Sequence, residues 1–126
     1  MKDGFATLRR AWKKGDTIEL HLPLVPRIVT ANDKVEADRG LAAIELGPLV
    51  YCVEGADNGG QVDNLTMSEN AKLSYEFKPD LLGGVNVVKV AAGGAEYTAV
   101  PYYAWGNRGN GPMRVWLGRG EAGAAE

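Results

Sequence analysis

Seventeen glycines and six prolines punctuate the 126 residues of this chain, and they constrain its fold more than any other feature. Between them, no window of a dozen or more residues repeats apolar side chains at helical spacing, so the pieces read as strands and turns. Thr17-Ile18-Glu19-Leu20-His21-Leu22 alternates strictly and places Ile18, Leu20 and Leu22 on one face. Phe5 to Trp12 precedes it across Lys14-Gly15-Asp16, and two such runs around a Gly-Asp turn predict a β-hairpin. Pro23 and Pro26 cannot donate ladder hydrogen bonds and suit an edge or a bulge. Arg27 to Ala31 then resumes the extended pattern, ending at the polar turn Asn32-Asp33-Lys34.

Leu41 to Leu46 and Leu49 to Val53 flank Gly47-Pro48. The second run is nearly apolar throughout, which predicts a strand covered on both faces in the middle of a sheet. Glu54 to Asn64 reads as a polar, glycine-rich loop. Lys72 to Phe77 alternates, Val85 to Val90 is β-branched, and Glu96 to Tyr103 and Met113 to Leu117 make two further strands. From Gly118 onward the chain is rich in Gly, Ala and Glu and is expected to be disordered. About eight short strands with little helix predict an all-β class, an antiparallel β-sandwich of jelly-roll-like or immunoglobulin-like form. It would span residues 1–117 as one domain, with 118–126 as a tail.

Charge narrows the partners. Sixteen acidic against fourteen basic residues give a formal net charge of −2, and without a basic patch neither nucleic acid nor an anionic membrane is an expected partner. No apolar run reaches the length of about 20 residues that a membrane helix needs. One cysteine, Cys52, and one histidine, His21, can form neither an internal disulfide nor a Cys/His zinc cluster.

Candidate chemistry is sparse. Asp38, Glu45 and Glu54 are the nearest to acid–base carboxylates, but Glu45 lies between Ile44 and Leu46 and is expected to face solvent from a strand. Asp38 precedes Arg39-Gly40 in a turn, where a backbone or salt-bridge role is expected. His21 lies on the polar face of its run, and Cys52 sits in the most apolar strand, where a thiol behaves as an inert small hydrophobe. The glycine pairs at 59–60, 83–84 and 93–94 match no phosphate or dinucleotide loop and read as turns. No catalytic residue and no metal ligand is assigned.

One cluster stands apart: Tyr102, Tyr103 and Trp105, followed by Asn107 and Arg108 in a flexible polar loop. On a strand, Tyr103 and Trp105 would share one face and Tyr102 the other, so at least one side would be core. Three roles are open for these residues: core or corner packing, a domain interface, and a carbohydrate-stacking platform with Trp116, where Asn107 and Arg108 bind hydroxyls. Sugar contact of this kind would be weak.

Val35-Glu36-Ala37-Asp38-Arg39-Gly40, the run Ile44 to Glu54 containing Gly47-Pro48-Leu49-Val50-Tyr51-Cys52, and Asp57-Asn58 resemble the C-terminal region of glycoside hydrolase family 127, the β-L-arabinofuranosidase-like family. Arg10 to Asp16 with Leu20 to Pro23, Leu82 to Val85, Ala99 to Gly109 and Met113 to Leu117 follow in the family's order, so the resemblance spans nearly the whole chain. It implies a parent enzyme with an α/α-barrel catalytic domain followed by β-sandwich domains, acting on arabinofuranosides of plant cell-wall glycans. It also implies a zinc-bound cysteine nucleophile and a glutamate acid/base, all in the barrel; Cys52 matches the sandwich motif instead. No cofactor is therefore expected in this chain. The expected partners are the barrel of the parent chain and a second copy in a homodimer. In the family the residues before the Arg-Gly turn can belong to a different sandwich, which puts an expected seam near Arg39.

Overall fold

The computed structural model describes residues 1–120. Nine strands follow one another as β1 (Pro26–Thr30), β2 (Leu41–Leu46), β3 (Leu49–Glu54), β4 (Thr66–Met67), β5 (Lys72–Lys78), β6 (Val85–Ala92), β7 (Ala95–Pro101), β8 (Met113–Arg114) and β9 (Leu117–Arg119). The only helical pieces among the described residues are 3₁₀ turns at Glu36–Asp38, Gly55–Asp57 and Tyr102–Ala104. The all-β expectation holds.

The strands join in one curled, mixed sheet in the order β4-β9-β2-β3-β7-β6-β5, with β1 on β2 and β8 on β3. Every pairing is antiparallel except β4 with β9, which is parallel. Leu49 to Val53 lies mid-sheet, where β3 pairs β2 through Ile44↔Tyr51, β7 through Cys52↔Val100 and β8 through Val53↔Arg114, but the expected cover on both faces reaches only Tyr51 to Val53, since Leu49 and Val50 are exposed. Successive side chains of a strand point to opposite faces, so the sheet carries a core on each side. Ile44, Leu46, Tyr51, Val53, Val88, Val90 and Tyr97 form the larger core, while Cys52, Val85, Val87 and Val100 form the smaller. The curl brings β1 against β5, with Ile28 and Leu73 resting on the larger core. Tyr51 donates from its hydroxyl to the Asn86 carbonyl at 2.7 Å and Tyr97 to the Thr66 carbonyl at 2.9 Å, so both buried phenols are satisfied.

The expectation for the N-terminal segment fails for a physical reason. The hairpin of Phe5 to Trp12 with Thr17 to Leu22 does not form. Its turn closes, with the Asp16 N–H donating to the Lys13 carbonyl at 3.1 Å, but the flanks do not pair and every residue from 1 to 25 is exposed. An alternating run needs a neighbouring strand and an apolar surface to rest on, and this arm meets neither. The first strand begins at Pro26, and β1 pairs with β2 across the turn at Arg39 through Ile28↔Ile44. Gly118 and Arg119 of the expected tail lie in β9. Gly118 pairs with Leu41 and Thr66, the Arg119 N–H donates to the Gly40 carbonyl at 3.1 Å, and the Gly120 N–H donates to the Met67 carbonyl at 3.2 Å. Residues 121–126 of the expected tail lie outside the described residues.

Candidate functional site

Glu54 closes β3 at the end of its most apolar run, and the chain turns away at once through Gly55–Asp57. Only glycine fits at 55, because a Cβ there would stand 2.9 Å from Pro112 Cγ and 3.0 Å from the Gly60 carbonyl. The Gly55 N–H donates to the Pro112 carbonyl at 2.9 Å and the Gly60 N–H to the Gly55 carbonyl at 2.8 Å. Asn58 ties this turn to β7. Its Nδ2 donates to the carbonyls of Glu54 at 2.8 Å and Thr98 at 3.0 Å, and its Oδ1 accepts the Thr98 N–H at 2.9 Å.

The loop after β7 is fastened to the same place by charge. Arg108 donates from Nη1 and Nη2 to the two carboxylate oxygens of Asp57 at 2.5 and 2.6 Å, and from Nη2 to Glu54 Oε2 at 2.7 Å. The other Glu54 oxygen accepts the Gly106 N–H at 2.9 Å. The Glu54 side chain is 8% exposed and that of Arg108 24%, so the knot is largely withdrawn from water. Hydrogen bonding to Asp57 above all, then to Glu54, holds the guanidinium above its usual range against the opposing pull of burial. A fork-to-fork pair of this kind fixes orientation as well as charge.

Above the knot stand the aromatics. β7 ends at Pro101 and the chain enters the 3₁₀ turn Tyr102–Ala104, so the strand expected to run to Tyr103 stops two residues short. The alternation that would send one ring into the core is lost with it. Tyr102, Tyr103 and Trp105 are 46%, 66% and 42% exposed, and Ala104 alone of this group is buried. None of the three rings is sealed in the core of this chain. Asn107 donates from Nδ2 to the Ala104 carbonyl at 3.0 Å, and Arg108 is committed to its carboxylates, so both donors imagined for a sugar on this platform are already spent on holding the loop. Trp116 is half-buried in the link between β8 and β9.

The remaining candidates separate. Glu45 pairs with Arg27 Nη2 at 2.7 Å across β1 and β2, and the Asp38 N–H donates to the Val35 carbonyl at 3.1 Å within a turn. His21 is exposed in the arm. Cys52 is 1% exposed, and its thiol is pushed up to about 12 by burial first and then by the charges of Glu54 and Asp57. A thiol so placed stays protonated at neutral pH and is a poor nucleophile and metal ligand. The donor set therefore does not fit zinc: the one cysteine is sealed in the sheet, the one histidine lies in the arm, and among the described residues no three His, Cys, Asp or Glu side chains converge as a metal site. The ionic knot is the feature that residue order alone does not reveal. Its one signal is an acidic residue ending an apolar strand, which requires a cation from somewhere.

The model of the glycoside hydrolase family 127 C-terminal domain matches residues 26–118, from the first residue of β1 into β9. The chain belongs to glycoside hydrolase family 127. A curated relative, the non-reducing end β-L-arabinofuranosidase of Bifidobacterium longum subsp. longum, is 35% identical over 94% of this chain and 22% of its own length. Among solved structures, a family 127 β-arabinofuranosidase superposes with a TM-score of 0.78 at 41% identity, over 86% of this chain and 19% of that one. The family 127 β-L-arabinofuranosidase of Geobacillus stearothermophilus T6 superposes with a TM-score of 0.71 at 35% identity, over 78% and 19%. This family 127 chain thus spans about a fifth of the length of the relatives it matches.

Proposed function

We propose that this chain is the non-catalytic C-terminal β-domain of a glycoside hydrolase acting on arabinofuranosides, and that it braces the enzyme's catalytic barrel through the segment Tyr102 to Arg108. The observation that carries the reading is the pairing of three exposed rings with a rigid base. Tyr102, Tyr103 and Trp105 project from a turn whose following loop is locked from beneath by Glu54, Asp57 and Arg108. Aromatic anchors that are already ordered lose little freedom on docking, and Tyr, Trp and Arg are enriched at such contacts. The likeness to β-L-arabinofuranosidases several times longer supports an activity that resides in the rest of the polypeptide. In this chain Glu54 and Asp57 are held by Arg108, and the Cys52 thiol is buried and protonated.

The arm of residues 1–25 belongs to the same reading. Phe5, Trp12, Ile18, Leu20 and Leu22 are 47–74% exposed, and in the parent they would complete a sheet of the preceding sandwich. Trp105→Ala tests the brace in two settings, this chain alone and the full-length enzyme. The expected result is an unchanged thermal midpoint for the chain alone and a drop of several degrees, with faster proteolysis between domains, for the full-length enzyme. Equal loss in both settings would return Trp105 to a packing role, and no loss in either would end the bracing proposal.

A further inference from the structure

We propose that the cleft between the 3₁₀ turn Gly55–Asp57 and the loop 106–112 binds one neutral sugar ring. The cleft encloses about 350 Å³, at the lower end of the range for small-molecule sites and enough for a single furanose or pyranose. Gly55, Gly60 and Gly111 line it, so much of its wall is bare peptide, with Ala56 at its side and the Asn110 carboxamide beside Arg108. The Gly55 and Gly60 N–H groups are already bonded within the protein, so the Asn110 carboxamide and the peptides of residues 109–111 supply the mixture of donors and acceptors that hydroxyl groups require.

Charge selects against other ligands. Glu54, Asp57 and Arg108 sum to one negative charge, which disfavours an anion. All four carboxylate oxygens already accept hydrogen bonds, which leaves a cation poorly served. The base of the cleft is fixed before any ligand arrives, by the Gly55–Pro112 and Asn58–Thr98 hydrogen bonds. This site is separate from the rings of the bracing segment, so either proposal can fail alone.

The test is a titration of the whole chain with L-arabinose, followed by amide chemical shifts in two-dimensional NMR. Saturable shifts at Gly55, Gly60, Asn110 and Gly111 in the millimolar range are expected. Ala56→Phe, which fills the cleft from an exposed position, should abolish them. Asn110→Ala, an exposed loop change, should weaken binding roughly tenfold while leaving the remaining spectrum unchanged. Trp105→Ala should leave them intact. The proposal is overturned by the absence of saturable shifts with arabinose, galactose and glucose alike. Shifts confined to Tyr102, Tyr103 and Trp105, or undiminished in both cleft variants, would overturn it equally.

Discussion

Ile18, Leu20 and Leu22 of the arm and Ala42, Ile44 and Leu46 of β2 share the same alternate spacing, yet the first three are 65–74% exposed and the second three 1%. The difference lies in what flanks them. β2 has β1 along one edge and β3 with β9 along the other, and its inward face meets Tyr51, Val53 and Val88. The arm has a closed turn and no strand paired alongside. Alternation specifies which face of a strand will be buried, and a neighbour with free backbone groups makes the strand. A row of unpaired amides beside an apolar stripe is in turn a surface that invites pairing.

Four measurements test this contrast. The largest effect is expected where burial has trapped charge. Arg108→Met should lower stability by about 3–5 kcal/mol, because Glu54 and Asp57 lose their shared cation in a largely dry site. Arg27→Met, which opens an exposed pair with Glu45, should lower it by about 0–1 kcal/mol in the same urea titration. Next, Ile44→Ala should cost about 2–5 kcal/mol, while Ile18→Ala should stay within about 0.5 kcal/mol. A comparable loss at Ile18 would show that the arm is folded after all.

The third measurement is a stability profile at alkaline pH. Burial pushes Tyr51 and Cys52 up to about 12, from ordinary values of 10.0 and 9.0, and raises Tyr97 as well. Above about pH 9 the unfolded chain sheds protons that the folded chain retains, so stability falls as pH rises, by up to about 1.4 kcal/mol per pH unit for each group. Below that pH these groups contribute no slope. The smallest effect belongs to the junction. Gly47 has φ +58°, and a Cβ there would lie 2.7 Å from Leu24 Cδ2. Gly47→Ala should cost about 1–2 kcal/mol for the left-handed backbone, and Leu24→Ala should relieve only the added steric part. Full recovery in the double variant would show that the contact with the arm, and not the backbone, governs the turn.

Most of the sheet is legible in the residues. Leu41 to Leu46 forms the predicted strand end to end, and the runs at 27–31, 49–53, 72–77 and 85–90 come within two residues of their observed ends. Each is bounded by turn residues and filled with apolar or β-branched side chains, so local preference and tertiary burial agree. β4 escapes notice because Thr66 and Met67 are too few to show a period, and their pairing with β9 is a tertiary event. Met113 to Leu117 reads as one strand but divides at Val115-Trp116, since β8 and β9 serve different neighbours, β3 and β2. The candidate site is read less well. Tyr102, Tyr103 and Trp105 announce themselves by composition, but their exposure follows from a strand ending at Pro101. Arg108 lies about fifty residues from its carboxylates, and no spacing rule joins them.

Cys52 has a practical consequence for anyone probing this molecule. The chain's one thiol is buried and protonated, so maleimide reagents that need an accessible thiolate should pass it by while the sheet is intact. A cysteine placed at Tyr103 would then be the sole reactive handle, without any prior removal of the native one. A fluorophore attached there would report directly on whether that turn meets water or another surface.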